Sequence, residues 1–234
     1  MKQTDIINPF QPYMTLEMDG YSQINRTDYG ISHFYEFTIH DEKKHCIKAV
    51  PDASIDLLFN IGENKVSTYI SGTVFGVKKW ELGTQDDCFG VRFQPGQGIL
   101  PKDITMEMIV NDDIEIDGDI FGKNLTEKIA LAKTMSERIE IFKKAYEDMV
   151  LGRNSLSDKE KINEYLVNRI SRTKGMITMR QLEDETNYSA CYLRRIFKSF
   201  HGISPKQFAQ YIRFQNLLMH PETSVPRFSA GHTS

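Results

Sequence analysis

Little in this sequence can act as a covalent or metal staple. Only three of its 234 residues are cysteine, and Cys46, Cys88 and Cys191 stand far apart with no Cys-x-x-Cys pair. That excludes a disulfide framework and a zinc finger, and it fits a reducing compartment. No run of about 18 apolar residues is present to form a membrane-spanning helix, so no membrane partner is expected. The start, Met1-Lys2-Gln3-Thr4-Asp5, has no apolar stretch of signal-peptide length, which makes the cytoplasm the expected location. A Gly-rich phosphate loop, a Gly-x-Ser-x-Gly elbow and a His-Glu-x-x-His pair are all missing. His33, His40, His45 and Cys46 cluster in sequence but form no His-x-His pair with a spaced carboxylate. The reading is therefore of no enzyme: no catalytic residue, no metal site and no cofactor.

What is present is an ordinary soluble composition, 40% hydrophobic and 26% charged, with enough apolar residues for a real core. The net charge of -3 hides a division. Residues 1–150 hold 16 Lys and Arg against 25 Asp and Glu, whereas residues 151–234 hold 13 against 7. An acidic body with a basic tail points to a polyanion-binding module attached to a part that stays off the polyanion.

From about Tyr29 to Phe93 the chain reads as short β-branched and aromatic runs between turns, the pattern of an antiparallel sandwich or barrel. The clearest runs are Ile31–Ile39, Ile55–Ile61, Val66–Ile70 and Cys88–Phe93, broken by Pro51-Asp52, Gly62-Glu63-Asn64 and Ser71-Gly72. Beyond the loop Gln94-Pro95-Gly96-Gln97-Gly98 and the acidic stretch Asn111 to Asp119, the period changes. Ser136 opens a helix whose stripe is Ile139, Phe142, Tyr146 and Met149. The polar run Gly152-Arg153-Asn154-Ser155 reads as a linker, so the expected class is α+β. A β-rich sensing or dimerisation domain over 1–150 with terminal helices precedes an all-α domain over 151–234.

The helical signals after the linker are dense. Ser157 with Glu160 and Thr178 with Gln181 are capping boxes, the second helix stopping at Thr186-Asn187. Ser189 caps a third helix from Ala190 to about Phe200 that ends at His201-Gly202, and Ser204-Pro205 starts a fourth reaching about Leu218. On the third helix Leu193, Ile196, Phe197 and Phe200 share one face, while Ala190, Cys191, Arg194, Arg195 and Lys198 share the other. Guanidiniums that can fork onto guanine, with small residues near the helix start, are what a major groove accepts. A solvated cationic face is the plainer alternative.

The run Tyr188-Ser189-x-x-Tyr192-Leu193-x-x-Ile196-Phe197-Lys198-x-x-x-Gly202-Ile203-Ser204-Pro205-x-x-Phe208, followed by Tyr211-Ile212-Arg213, resembles the AraC/XylS family of bacterial transcription regulators over about 157–219. The resemblance implies a sequence-specific regulator that binds double-stranded DNA through a helix-turn-helix. Carried over by position, Cys191, Arg194 and Arg195 face base edges and the small Ala190 allows close approach, while Ser189, Lys198 and Arg213 hold phosphates. It further implies a cupin-like β-barrel ahead of the DNA-binding part, a small-molecule effector and a homodimer. Pro51–Phe59 and Gly90–Gly96 look like segments that recur in the N-terminal domains of such regulators.

Two departures qualify that picture. The family carries a second helix-turn-helix beyond the fourth helix, but His220–Ser234 has two prolines and no helical stripe, so a single unit is expected. Glu183 stands where alanine is usual and Thr186 where an apolar residue is usual; a carboxylate buried there without a partner costs several kcal/mol. The alternative is a sensor or dimerisation module that has lost operator binding and acts through protein partners. Trp80, Arg92 and Asp56 offer an aromatic wall and charges for an effector, but the stronger reading is Trp80 as core or rim, with Arg92 and Asp56 as an ion pair or solvated residues.

Overall fold

The structure is a computed structural model. It describes residues 8–220 except 19, 39–45, 64, 82–86, 99, 153 and 154. The architecture is α+β, with an antiparallel sheet followed by helices.

The runs predicted as strands form the sheet centre: β2 (Ile31–Thr38), β4 (Asp56–Ile61), β5 (Val66–Ser71) and β7 (Asp87–Phe93). With β1 (Ser22–Asn25) and β8 (Asp113–Ile116) at its edges, the sheet has the order β1-β2-β7-β4-β5-β8, each neighbouring pair antiparallel. A separate pair, β3 (Cys46–Ala49) with β6 (Lys78–Glu81), makes a two-stranded sheet. Central β7 is buried from Cys88 to Phe93, as a strand covered on both faces must be.

Side chains alternate across the sheet with period two. Phe34, Leu57, Phe59, Phe89, Val91 and Phe93 belong to the main core, which is completed by Leu125 and Ile129 of α3 (Leu125–Leu131) and by Ile139, Phe142 and Tyr146 of α4 (Met135–Leu151). The α4 stripe is as expected from sequence, but the helix begins earlier: Thr134 and Glu137 close a capping box there. The intervening positions Tyr35, Phe37 and Cys88 pack on Met14 of α1 (Pro12–Glu17). Gly90 permits this, since a Cβ there would lie 2.0 Å from the Tyr35 ring.

After Leu151 come α5 (Asp158–Arg172), α6 (Met179–Thr186), α7 (Ala190–His201) and α8 (Pro205–Met219). The capping boxes at Ser157, Thr178 and Ser204 are all formed, and Asn187 and Gly202 end α6 and α7 in the left-handed conformation. Leu166, Val167, Ile170, Leu182, Leu193, Phe197, Phe208 and Ile212 build a second core. At about 1.5–3 kcal/mol for each fully buried apolar side chain, this cluster is what holds four short helices together.

The two cores meet. Ala53 and Val110 of the β region pack on the helical core, and Gly96 sits against Val167 and Phe208, where an added Cβ would come within 3.0 Å of Val167. Short α2 (Met106–Ile109) also contacts α7. Of the expected linker, Arg153 and Asn154 lie outside the described residues, as do His40, His45 and the tail beyond His220.

Candidate functional site

The third helix of the sequence reading is α7, and its two faces separate as expected. Leu193, Ile196 and Phe197 are buried, whereas Cys191, Arg194, Arg195 and Lys198 are exposed. Ser189 caps the helix by accepting from the Tyr192 amide at 3.3 Å, and Ala190 is half-buried at its first turn. Arg195 lies over the Tyr192 ring, 5.4 Å from its centre, and Tyr192 in turn packs near Tyr188. Those ring contacts restrict Arg195 while leaving Arg194 and Lys198 to solvent.

Arg213 is placed differently from the other cations. It is half-buried on α8 and donates through Nη1 to the Gly175 carbonyl, tying α8 to the turn that follows α5. One guanidinium nitrogen therefore serves the fold. Glu183 is half-buried, and its Oε1 accepts from the Ala190 amide. The sequence left open a costly unpaired carboxylate; instead Glu183 satisfies an amide at the start of α7, where a helix leaves donors unpaired and a negative charge is favoured. Thr186 likewise finds a partner, donating to the Leu182 carbonyl at 2.6 Å. Arg169 and Tyr165 of α5 both donate to Glu185 of α6, which holds that carboxyl down to about 2.

A second candidate lies in the β region, on the sheet face away from α4. A cavity of about 120 Å³ is lined by Gln11, Tyr35, Asp52, Asp56, Tyr69, Trp80, Arg92 and Asp113, among others. The structure thus brings together Trp80, Arg92 and Asp56, which sequence alone could only single out one by one. Asp56 and Arg92 face each other across the β4–β7 register, and Arg92 Nη2 donates to Asp56 Oδ2 at 2.9 Å. The ion pair and the cavity lining are the same residues.

Sequence reasoning missed the rest of this network. Arg92 Nη1 lies 3.1 Å from Asp52 Oδ2, and Gln11 Nε2 donates to the same oxygen at 2.8 Å. The Ser54 amide donates to Asp52 Oδ1, and the Tyr35 hydroxyl donates to Asp56 Oδ2 at 2.8 Å. Asp56 Oδ1, Arg92 Nε and Ser54 Oγ are buried without a hydrogen-bond partner, and Arg92 Nη1 meets Asp52 as an ion pair without hydrogen-bond geometry. The signal available was Pro51-Asp52 followed by Asp56, two carboxylates flanking a strand start, but their shared arginine lies 36 residues further on.

Burial and charge set the protonation states. Burial raises the Asp56 carboxyl, against the pull of Arg92. Burial alone would lower Arg92, but Asp56 and Asp52 more than offset it and the guanidinium stays charged. Burial, with Arg92 nearby, pushes neighbouring His33 down to about 3, and it lifts Tyr21 to about 12. Among the described residues no helix is long and apolar enough to cross a membrane, and no group of three or more His, Cys, Asp or Glu is arranged to hold a metal ion.

A family model described as a domain of unknown function (DUF6597) matches residues 29–115. The match spans β2 to β8 and holds most of the cavity's polar lining, but neither Gln11 nor any of α5–α8. No curated protein and no solved structure matches the chain.

Proposed function

We propose that the chain is a ligand-responsive, sequence-specific DNA-binding regulator of the AraC type. In this reading α6 and α7 form a helix-turn-helix and the β region is a cupin-like sensor. The observation that carries it is the open face of α7, where Cys191, Arg194, Arg195 and Lys198 are exposed behind a buried Leu193–Ile196–Phe197 face. The tight turn at Asn187, locked by a left-handed conformation and a 2.8 Å bond from its amide to the Glu183 carbonyl, sets α7 against α6. This supports insertion of α7 into a major groove with its N-terminal end toward base edges.

Arg194 and Arg195 then read bases, Ala190 and Cys191 permit close approach, and Ser189 and Lys198 hold phosphates. Arg213, committed in part to Gly175, contributes to phosphate only through its remaining donors. Two chains on two half-sites about one helical turn apart supply the affinity, which makes the working form a homodimer. The cavity around Asp56, Arg92 and Trp80 is the effector site, and no catalytic step is assigned to it.

Selection of bound sequences from random duplexes, with the full chain at two salt concentrations, tests the reading. An enriched site, with affinity that falls as salt rises, is the expected result. Enrichment of no sequence overturns it and leaves the alternative of a sensor acting through protein partners.

A further inference from the structure

Among the described residues, the cavity in the β region holds more buried negative charge than its surroundings neutralise. Arg92 is only 5% exposed and is shared between two carboxylates, Asp52 at 3.1 Å and Asp56 at 2.9 Å. One guanidinium against two carboxylates leaves an excess of one negative charge. Asp52 has both oxygens occupied, by Gln11 and by the Ser54 amide. Asp56 has one oxygen occupied, by Tyr35 and Arg92, and its Oδ1 has no partner. A third carboxylate, Asp113, lines the cavity, accepts from the Trp80 indole and lies 3.9 Å from Lys78 Nζ.

An unpaired buried charge with an empty acceptor is costly, and a ligand supplying a cationic donor removes that cost. The walls suit such a ligand. Tyr35, Tyr69 and Trp80 present aromatic surface, and the fold already stations one cation on it: Lys78 Nζ sits 5.1 Å from the centre of the Trp80 ring. Arg92 Nε, also buried without a hydrogen-bond partner, needs an acceptor. A cavity of about 120 Å³ is somewhat smaller than the engineered one of about 150 Å³ that takes benzene, so the occupant has roughly five or six non-hydrogen atoms.

Building on the effector reading above, we propose that this cavity receives a small organic ammonium compound that also carries an oxygen acceptor. Its ammonium group pairs with Asp56, its oxygen accepts from Arg92 Nε, and its carbon body lies against Tyr35, Tyr69 and Trp80. An uncharged polyol would satisfy Asp56 Oδ1 and Arg92 Nε but leave the charge excess in place. A carboxylate would add to it. In the empty cavity a proton on Asp56 removes the excess, since burial raises that carboxyl, so the ammonium competes with a proton and binds less tightly as pH falls.

Trp80 is the only tryptophan in the chain and lines the cavity, so its fluorescence reports occupancy directly. The full chain is titrated at constant ionic strength with 3-aminopropan-1-ol, propane-1,3-diol and 3-hydroxypropanoate, which share a shape and differ in charge. The amine gives a saturable change in Trp80 emission and a rise in Tm, at concentrations at least tenfold below those needed for the other two. Asp56→Asn, which keeps the size and removes the charge, abolishes that preference while the far-ultraviolet spectrum stays unchanged. Should the variant fail to fold, the charge series on the unmodified chain decides alone. Equal or tighter binding of the diol or the hydroxy acid overturns the ammonium assignment and leaves the effector reading standing. If none of the three binds, both the assignment and the effector site fall. DNA selection is read independently on α7, so its outcome is separable from either result.

Discussion

The Gln215 side chain on α8 donates through Nε2 to the Pro51 carbonyl at 3.0 Å, and its Oε1 accepts from the Phe10 amide at 2.7 Å. Gln215 is wholly buried, so both ends of its amide are committed to the β region. The residues next in sequence to its two partners, Gln11 and Asp52, bond each other and line the cavity. The segments that hold α8 are thus the segments that form the cavity's polar wall. Coupling between two sites requires such a shared element, one whose arrangement both ends can bias.

Gln215→Ala leaves the Phe10 amide and the Pro51 carbonyl without their partner, at a cost of about 1–3 kcal/mol for each buried group that water does not reach. The expected outcome is a lower Tm together with faster amide hydrogen exchange in both α8 and residues 50–54, and a changed Trp80 emission. Gln210→Ala, at an exposed position of the same helix, serves as the control and leaves all three unchanged. Faster exchange confined to α8, with Trp80 unaffected, shows that Gln215 holds the helix without communicating with the cavity.

Glu183→Ala removes the carboxylate that accepts from the Ala190 amide at the start of α7. Loss of a helix N-terminal acceptor costs about 0.5–2 kcal/mol. The full chain therefore melts at a lower temperature, and Glu183→Gln, which keeps an acceptor but not the charge, falls between the two. Thermal denaturation followed by circular dichroism checks this. A variant that melts at a higher temperature shows instead that the site prefers a small apolar residue.

Two buried histidines set an acid limit on stability. His201 accepts contacts from Phe197 and Phe208 and bonds Asn163 through Nε2 at 2.8 Å, and burial lowers it to about 3; His33 is lowered to about 3 as well. With the folded pKa below the unfolded value of 6.5, the unfolded chain takes up the proton first. Stability from each is full above about pH 6.5 and is lost as pH falls toward 3, at up to about 1.4 kcal/mol per pH unit. Asp56, raised by burial, works in the opposite direction because the folded state then binds a proton more readily. Chemical denaturation of the parent and of His201→Gln across pH 4.5 to 7.5 isolates the His201 share: the two curves converge on acidification. Parallel curves exclude it.

The four C-terminal helices were the most legible part of the sequence because their ends are written locally. Ser157-Glu160 and Thr178-Gln181 each close within one turn and both boxes form; the Ser204 cap forms too, completed by Gln207, which the sequence reading had not singled out. The four central strands were readable for a similar reason, since β-branched and aromatic residues dominate them. Edge strands were not. β8 lies in the acidic stretch Asn111–Asp119, where Asp113 and Glu115 mask Ile114 and Ile116, and β3 and β6 carry lysines that suit a solvent-facing edge. The cavity network was least legible, because Gln11, Asp52, Asp56 and Arg92 are brought together only by strand pairing and by the packing of the segment ahead of β1. Glu183 was visible as an oddity, but its partner, an amide seven residues on, depends on how tightly the Asn187 turn closes.

Arg194 and Arg195 stand side by side and exposed one turn into α7, and Lys198 lies a turn beyond them. Replacing a base-reading arginine by alanine costs about 1–3 kcal/mol and relaxes preference at particular base pairs. Lys198→Ala weakens every sequence alike and makes the salt dependence shallower, because a phosphate contact carries no sequence information. Arg195 is held over Tyr192, so Tyr192→Leu weakens readout at the same base pair as Arg195→Ala and leaves the Arg194 position untouched. Competition binding with single-base variants of the selected site, at two salt concentrations, distinguishes the four substitutions. If the arginine variants lose affinity uniformly across all sequences, α7 grips the backbone without reading it, and specificity lies elsewhere in the chain.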